Sequence, residues 1–131
     1  MNKLDDYMRF HELSLSIRSQ RQQLLASNIA NADTPNYKAR DLDFNGAMNA
    51  ALDKTQAAQG MSRTSAAHLG GAPTIAGVQP GYRKEVQGNV DGNTVDMDVE
   101  RNAFTENALR YEASLTMINM QIKSLLTAIQ G

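Results

Sequence analysis

A chain of 131 residues with 13 Lys and Arg against 14 Asp and Glu is one small, almost neutral domain, which excludes a strongly basic nucleic-acid binder. Hydrophobic residues make up 41 %, but 17 of those 54 are Ala, and Leu, Ile, Val and Phe number only 26, near the ~20 % level below which chains tend not to fold. A thick core around an enzyme pocket is thereby excluded, and the absence of Cys excludes disulfides, thiolate catalysis and sulfur-bound zinc.

The first residues, Met1 to Asp6, hold two acids where a secretory signal needs an apolar run, and no stretch approaches the ~18 apolar residues of a membrane span. Neither a cleavable signal peptide nor a direct membrane span is expected. From Lys3 to about Asn31, apolar residues such as Leu4, Met8, Leu15, Leu25 and Ile29 recur at helical spacings without Gly or Pro, predicting one long amphipathic helix. Its middle, Arg18 to Gln23, is polar all round, so that turn must be solvated or must meet a polar neighbour. Pro35 stops the helix around Ala32 to Thr34, because it disfavours the α conformation of the residue before it and has no N–H to donate. Asn36 then suits a turn position with a left-handed or bridging backbone.

A shorter helix is predicted from an Asp43 N-cap to about Ala58, with Phe44, Met48 and Leu52 on one face and Gly60 as the stop. Between 60 and 93 the chain is rich in Gly and poor in branched apolar residues. This reads as a flexible or extended insert that packs on another molecule. Within it, Tyr82, Lys84 and Val86 alternate as one short strand would. Beyond the cap candidates Asp96 and Asp98, the residues Phe104, Ala108, Tyr111, Leu115, Ile118, Ile122, Leu125 and Ile129 alternate spacings of four and three, the pattern of a coiled-coil seam. Met117, Met120 and Leu126 widen the stripe, so this helix offers apolar surface to more than one neighbour.

The expected fold is mainly α: two long terminal helices forming an antiparallel coiled-coil-like pair, joined by a turn, a short helix and an extended loop-rich insert. Its parts run over 1–33, 34–59, 60–93 and 94–131, with both ends contributing to one structural domain. Either other subunits take up the excess apolar surface of the last helix, or the 44–58 helix covers it in a closed bundle.

Candidate chemistry is sparse. His11 and His68 have no His or acidic partner at metal-ligand spacing. The run Asp91 to Asp98 suggests a calcium loop only superficially, since its Gly stands second rather than sixth and the twelfth place is Asn102 instead of Glu. Helix capping explains those acids better. No phosphate loop or nucleophile motif is present. Arg18, Arg21, Lys38 and Arg40 are offset by Asp33, Asp41 and Asp43, so nucleic acid is not an expected partner. No catalytic residue, metal or cofactor is expected.

Two stretches carry a family resemblance. Leu25-Ala26-Ser27-Asn28-Ile29-Ala30-Asn31-Ala32-Asp33-Thr34-Pro35-Asn36-Tyr37-Lys38-Ala39-Arg40-Asp41 resembles the N-terminal signature of the bacterial flagellar rod, hook and hook-filament-junction proteins. Gly92-Asn93-Thr94-Val95-Asp96-Met97-Asp98-Val99-Glu100 is similar to the C-terminal signature of the same family. The short length, the continuation from Lys38 to Phe44 and the run from Arg101 to Tyr111 are most similar to the proximal rod subunits. One departure is Asn36, where the family usually has Gly; Asn is the next most tolerant residue of a positive φ.

The resemblance implies a structural subunit of the flagellar basal-body (proximal) rod in the periplasm. Such subunits are exported unfolded by the flagellar type III apparatus and assemble helically to transmit torque from the membrane ring to the hook. The implied partners are other copies of the chain, other flagellar rod proteins, membrane-ring and rod-adaptor proteins at the base, and the export apparatus. In this reading Asn28, Asn31, Thr34, Pro35, Tyr37 and Arg40 form an assembly turn, because amides at a helix C-terminus can satisfy free carbonyls. The seam from Phe104 to Ile129 carries most of the apolar burial. A helical type III export chaperone or adaptor would share the amphipathic ends and is the alternative.

Overall fold

The computed structural model describes residues 3–58, 80–83 and 90–131. Its elements are α1 (Lys3–Ala30), β1 (Arg40–Asp41), α2 (Phe44–Ala58), β2 (Gly81–Tyr82) and α3 (Met97–Gln130). The chain is thus mainly helical, with its two long helices at the ends. Most of the 60–93 insert, including Lys84 and Val86 of the expected strand, lies outside the described residues.

Local chemistry sets the helix limits. Asp5 and Asp6 lie in the first turn of α1, where the helix dipole favours negative charge. At the other end Asn31 N donates to the carbonyls of Ser27 and Asn28 at 3.1 and 3.2 Å, and Ala32 N to Ile29 O at 3.3 Å, so the last turn tightens. Pro35 follows in an exposed turn, and Asn36 adopts φ 62°, as the turn requires. Asp43 caps α2: its Oδ2 accepts from Gly46 N at 3.3 Å and its carbonyl from Ala47 N at 2.9 Å. Asp96 caps α3 from an extended backbone, its Oδ1 accepting from Asp98 N at 3.0 Å and Val99 N at 3.5 Å.

α1 and α3 run antiparallel. Asn28 of α1 bonds Glu100 of α3, while ten residues earlier on α1 the Arg18 carbonyl accepts from Asn107, farther along α3. α2 packs on α1, where Ile17, Ala47 and Met48 form an apolar cluster flanked by Leu13 and Phe44. The Arg18 guanidinium lies 4.0 Å above the Phe44 ring. β1 pairs antiparallel with β2, Arg40 opposite Tyr82 and Asp41 opposite Gly81.

The helix contact is unusually polar. Asn107, fully buried, donates through Nδ2 to Arg18 O at 2.9 Å and to Gln22 Oε1 at 2.7 Å. Arg21 pairs with Asp41 of β1. The polar turn of α1 therefore meets polar neighbours rather than solvent alone, which is how a helix turn without an apolar face can be packed. Arg18 Nε, Gln20 Oε1 and Asn107 Oδ1 remain buried without a hydrogen-bond partner among the described residues. Since each buried unmade bond costs about 1–3 kcal/mol, this contact holds the helices less firmly than an apolar seam of the same length.

Candidate functional site

The joint at the far end of α1 is organised by two buried asparagines. Asn28, 0 % exposed, uses its whole amide. Its Nδ2 donates to Arg40 O at 2.7 Å and to Glu100 Oε2 at 3.1 Å, and its Oδ1 accepts from Arg40 N at 3.1 Å and from the Tyr37 hydroxyl at 3.2 Å. It thus occupies one edge of β1 as a neighbouring strand would, and ties that strand to both long helices. Asn93 is also 0 % exposed. Its Nδ2 is shared among the carbonyls of Asn31, Ala32 and Thr34 in the turn beyond α1, at 2.9, 2.9 and 2.8 Å. Its Oδ1 accepts from Val95 N at 2.8 Å, setting the chain on its path into α3.

The two signature stretches are stitched along their backbones as well. Asn36 N donates to Asp91 O at 2.9 Å, Thr94 N to Tyr37 O at 3.0 Å, and Ala39 N to Thr94 Oγ1 at 2.8 Å. The turns back onto each other at two left-handed residues, Asn36 (φ 62°) and Gly92 (φ 77°). A Cβ on Gly92 would stand 2.5 Å from Asn36 Oδ1. Gly92→Ala is expected to cost about 1–2 kcal/mol through the left-handed backbone alone, plus the displacement of Asn36. Urea unfolding followed by circular dichroism measures it, and an unchanged midpoint would contradict the close approach.

Every residue of the expected assembly turn lies at this joint. Asn31 Nδ2 donates to Ser27 O at 2.8 Å, and Thr34 Oγ1 to Asn31 Oδ1 at 3.1 Å. The Tyr37 hydroxyl lies between Asn28 Oδ1 and Ser27 Oγ. Arg40 Nη2 donates to the Tyr82 hydroxyl at 3.2 Å, with the guanidinium 5.2 Å from that ring. Pro35 is exposed. Asn93, which satisfies the carbonyls of this turn, is absent from the sequence-based set; its signal was the Gly-Asn step ahead of the Asp96 cap.

Beside the joint lies a chain of charges. Arg21 Nε and Nη2 clasp Asp41 Oδ1 and Oδ2 at 2.9 and 3.2 Å, Arg83 Nη2 reaches the same Asp41 Oδ2 at 2.8 Å, and Arg83 Nη1 meets Glu100 Oε1. Burial alone would raise the Asp41 carboxyl, but its hydrogen bonds from Arg21 and Arg83, and from Leu42 N, hold it below the usual carboxylate range. Burial pushes Glu100 above its ordinary value, against the opposing pull of Asn28 and Arg83. Glu100 and Asn107 are the buried residues of α3, and both are polar. Their seven-residue spacing, matched on α1 by Ser14, Arg21 and Asn28, was the sequence signal for them.

Of the expected seam, Phe104, Ala108, Tyr111, Leu115, Ile118 and Leu125 are half-buried. Ile122 is 39 % exposed and Ile129 81 %, because α3 has 34 residues against 28 in α1 and outruns its partner. A second face of α3 carries Leu109, Met117 and Met120, between 54 % and 66 % exposed, and Leu126 on the seam side is 51 % exposed. α2 packs on α1 and leaves this face uncovered among the described residues. The acids of the 91–100 run serve the fold: Asp96 as a cap, Asp91 Oδ1 as acceptor for Asn93 N at 3.1 Å, Asp98 in the first turn of α3, where the helix dipole favours negative charge, and Glu100 in the charge chain. His11 packs against Tyr7 with the rings tilted by 60° and their centroids 4.3 Å apart; His68 lies outside the described residues.

A helical hairpin whose two ends are knotted at one joint, and whose longest helix leaves an apolar face open, defines a structural protein made to assemble. Comparison with known proteins makes the class specific. A family model for the flagella basal body rod protein matches residues 8–38, which hold the buried face of α1 and the turn. The flagellar basal body rod protein FlgB of Yersinia enterocolitica is 41 % identical over 138 residues, covering 99 % of this chain and 98 % of that protein. FlgB of Escherichia coli is 41 % identical over 137 residues (100 % and 98 %), and FlgB of Cereibacter sphaeroides 42 % over 131 residues (100 % and 99 %). The chain belongs to the FlgB family of flagellar basal body rod proteins, structural components of the flagellum basal body.

Proposed function

We propose that the chain is a stave of the proximal rod, packing helically against further copies of itself and other rod proteins. The observation that carries this is the open apolar face of α3, with Leu109 66 %, Met117 54 % and Met120 63 % exposed on a chain whose own core is small. Fully burying such a side chain contributes about 1.5–3 kcal/mol, so a few of them per contact suffice for a stable lateral interface. Contacts that repeat without closing a ring generate a helix, and a helix of packed rods can carry torque. The work of such a subunit is mechanical, not catalytic. At its base it would meet membrane-ring and rod-adaptor proteins, after passage through the flagellar type III export apparatus. The joint formed by Asn28, Asn31, Thr34, Pro35, Tyr37 and Arg40 would hold the two long helices in register for these contacts. The seam from Phe104 to Ile129 would be completed by neighbours where α1 leaves it open.

Met117→Glu combined with Met120→Glu tests this reading. Both side chains are more than half exposed, so helicity of the isolated chain should be unchanged. Burying the new carboxylates between subunits is costly, so cells that depend on the variant should lose swimming, with the subunit missing from isolated basal bodies. Normal swimming would sink the proposal.

A further inference from the structure

Four charges meet where α1, β1, β2 and α3 converge, and they are not equivalent. Arg21 and Asp41 form a complete pair through two hydrogen bonds, each side chain about one-fifth exposed. Glu100 is 0 % exposed; Asn28 offers it a neutral N–H at 3.1 Å, and among the described residues Arg83 is the cation in contact with it. Arg83 is not placed by Glu100. Its backbone N donates to Ala39 O at 3.0 Å, the preceding residues pair with β1, and Tyr82 is held by Arg40.

We propose that Arg83 is a positioning residue that makes the pairing of α1 with α3 conditional on the seating of segment 80–83 against β1. A carboxylate can enter a closed helix contact only with a cation beside it, because an unpaired buried ion costs more than one such contact offsets. The cation here comes from neither helix but from the middle of the chain. The two ends therefore zip together as one event with the docking of that segment, and a chain whose middle is unseated keeps its ends apart unless Glu100 takes up a proton. Buried ion pairs that specify which arrangement forms, rather than how stable it is, are the best attested use of such pairs. This coupling lies within one chain and holds whether or not the rod reading does.

The test compares the full-length chain with Arg83→Ala, Glu100→Gln and the double variant. Helicity is followed along an axis from urea to trimethylamine N-oxide, so that a midpoint is read whatever the starting state of the chain. At neutral pH, Arg83→Ala should lower the folded-to-unfolded ratio about 100-fold or more, as expected when one partner of a buried pair is removed. Adding Glu100→Gln should restore most of it, since the amide oxygen still accepts from Asn28 and the amide nitrogen can face the space that Arg83 vacates.

Acid should rescue Arg83→Ala by more than it changes the unmodified chain, in which Arg83 opposes the rise at Glu100. Facing Glu100 are Asn28 and Arg21 from α1, Asp41 from β1, Arg83 beside β2, and Asp96 ahead of α3. Without Arg83 the folded state holds the Glu100 proton more firmly than the unfolded state, so stability is present below the unfolded carboxyl pKa and is lost as pH rises. Arg83→Ala within about threefold of the unmodified chain, or a double variant no better than Arg83→Ala, would overturn the proposal.

Discussion

Asn28→Asp, a change of one atom, is expected to destabilise the chain by about 3–5 kcal/mol at neutral pH, the scale of a broken buried charge network. The acceptor side of the amide survives in the carboxylate, so the bonds from Arg40 N and the Tyr37 hydroxyl can persist. The donor side does not. Arg40 O loses its partner, and Glu100 Oε2, which accepted a hydrogen bond at 3.1 Å, instead faces a second negative oxygen. Two carboxylates at that distance cannot both ionise, so one of them is forced to hold a proton well above its ordinary pKa. The sign follows: a folded pKa raised above the unfolded value means stability present below the unfolded pKa of about 4 and lost as pH rises through the folded one. The deficit should therefore shrink between neutral pH and about pH 4. Asp41 works in the opposite direction: its lowered folded pKa means its contribution is lost as pH falls through that value. It is present in both chains, so the difference between them isolates the new pair. Urea unfolding at several pH values measures it, and a deficit under 1 kcal/mol or independent of pH would contradict the geometry.

Asn93→Ala should also be strongly damaging, at about 2–3 kcal/mol. The carbonyl of Ala32 loses its donor and Val95 N loses Oδ1, while Asn31 O and Thr34 O keep the backbone bonds from Thr34 N and Tyr37 N; each buried group left unmatched costs about 1–3 kcal/mol. Water reaches the exposed Thr34, which keeps the total below the sum. Asn93→Asp preserves the acceptor for Val95 N but replaces the donor with a buried negative oxygen facing carbonyl oxygens, so it should lose at least as much as the alanine. Hydrogen exchange of the last turn of α1 should speed up in both. Equal protection in all three proteins would mean that the carbonyls are satisfied in another way.

The elements were legible because their limits are set within a few residues. Pro35 ends the run behind α1, Asp43 and Asp96 accept the free N–H groups at the starts of α2 and α3, and the alternating four-three spacing runs along α3. The joint was half legible. Its residues could be named from the Asn-Ile-Ala-Asn to Tyr-Lys stretch, but not the fact that the amide of Asn28 is consumed within the chain. Nor could Arg83 be picked out, since Glu100 lies 17 residues beyond it and Asp41 is 42 residues before it.

By itself the sequence determined that this is a helical, core-poor chain with a family signature at each end, because composition, capping and periodicity act locally. Only the tertiary structure decided that the centre of the helix contact is polar. Asn28 meets Glu100 across 72 residues and Asn107 meets Arg18 across 89. An amide or a carboxylate on a helix reads as solvent-facing until its partner is known, since burial is tolerable only when a distant part of the chain supplies the matching donor or charge.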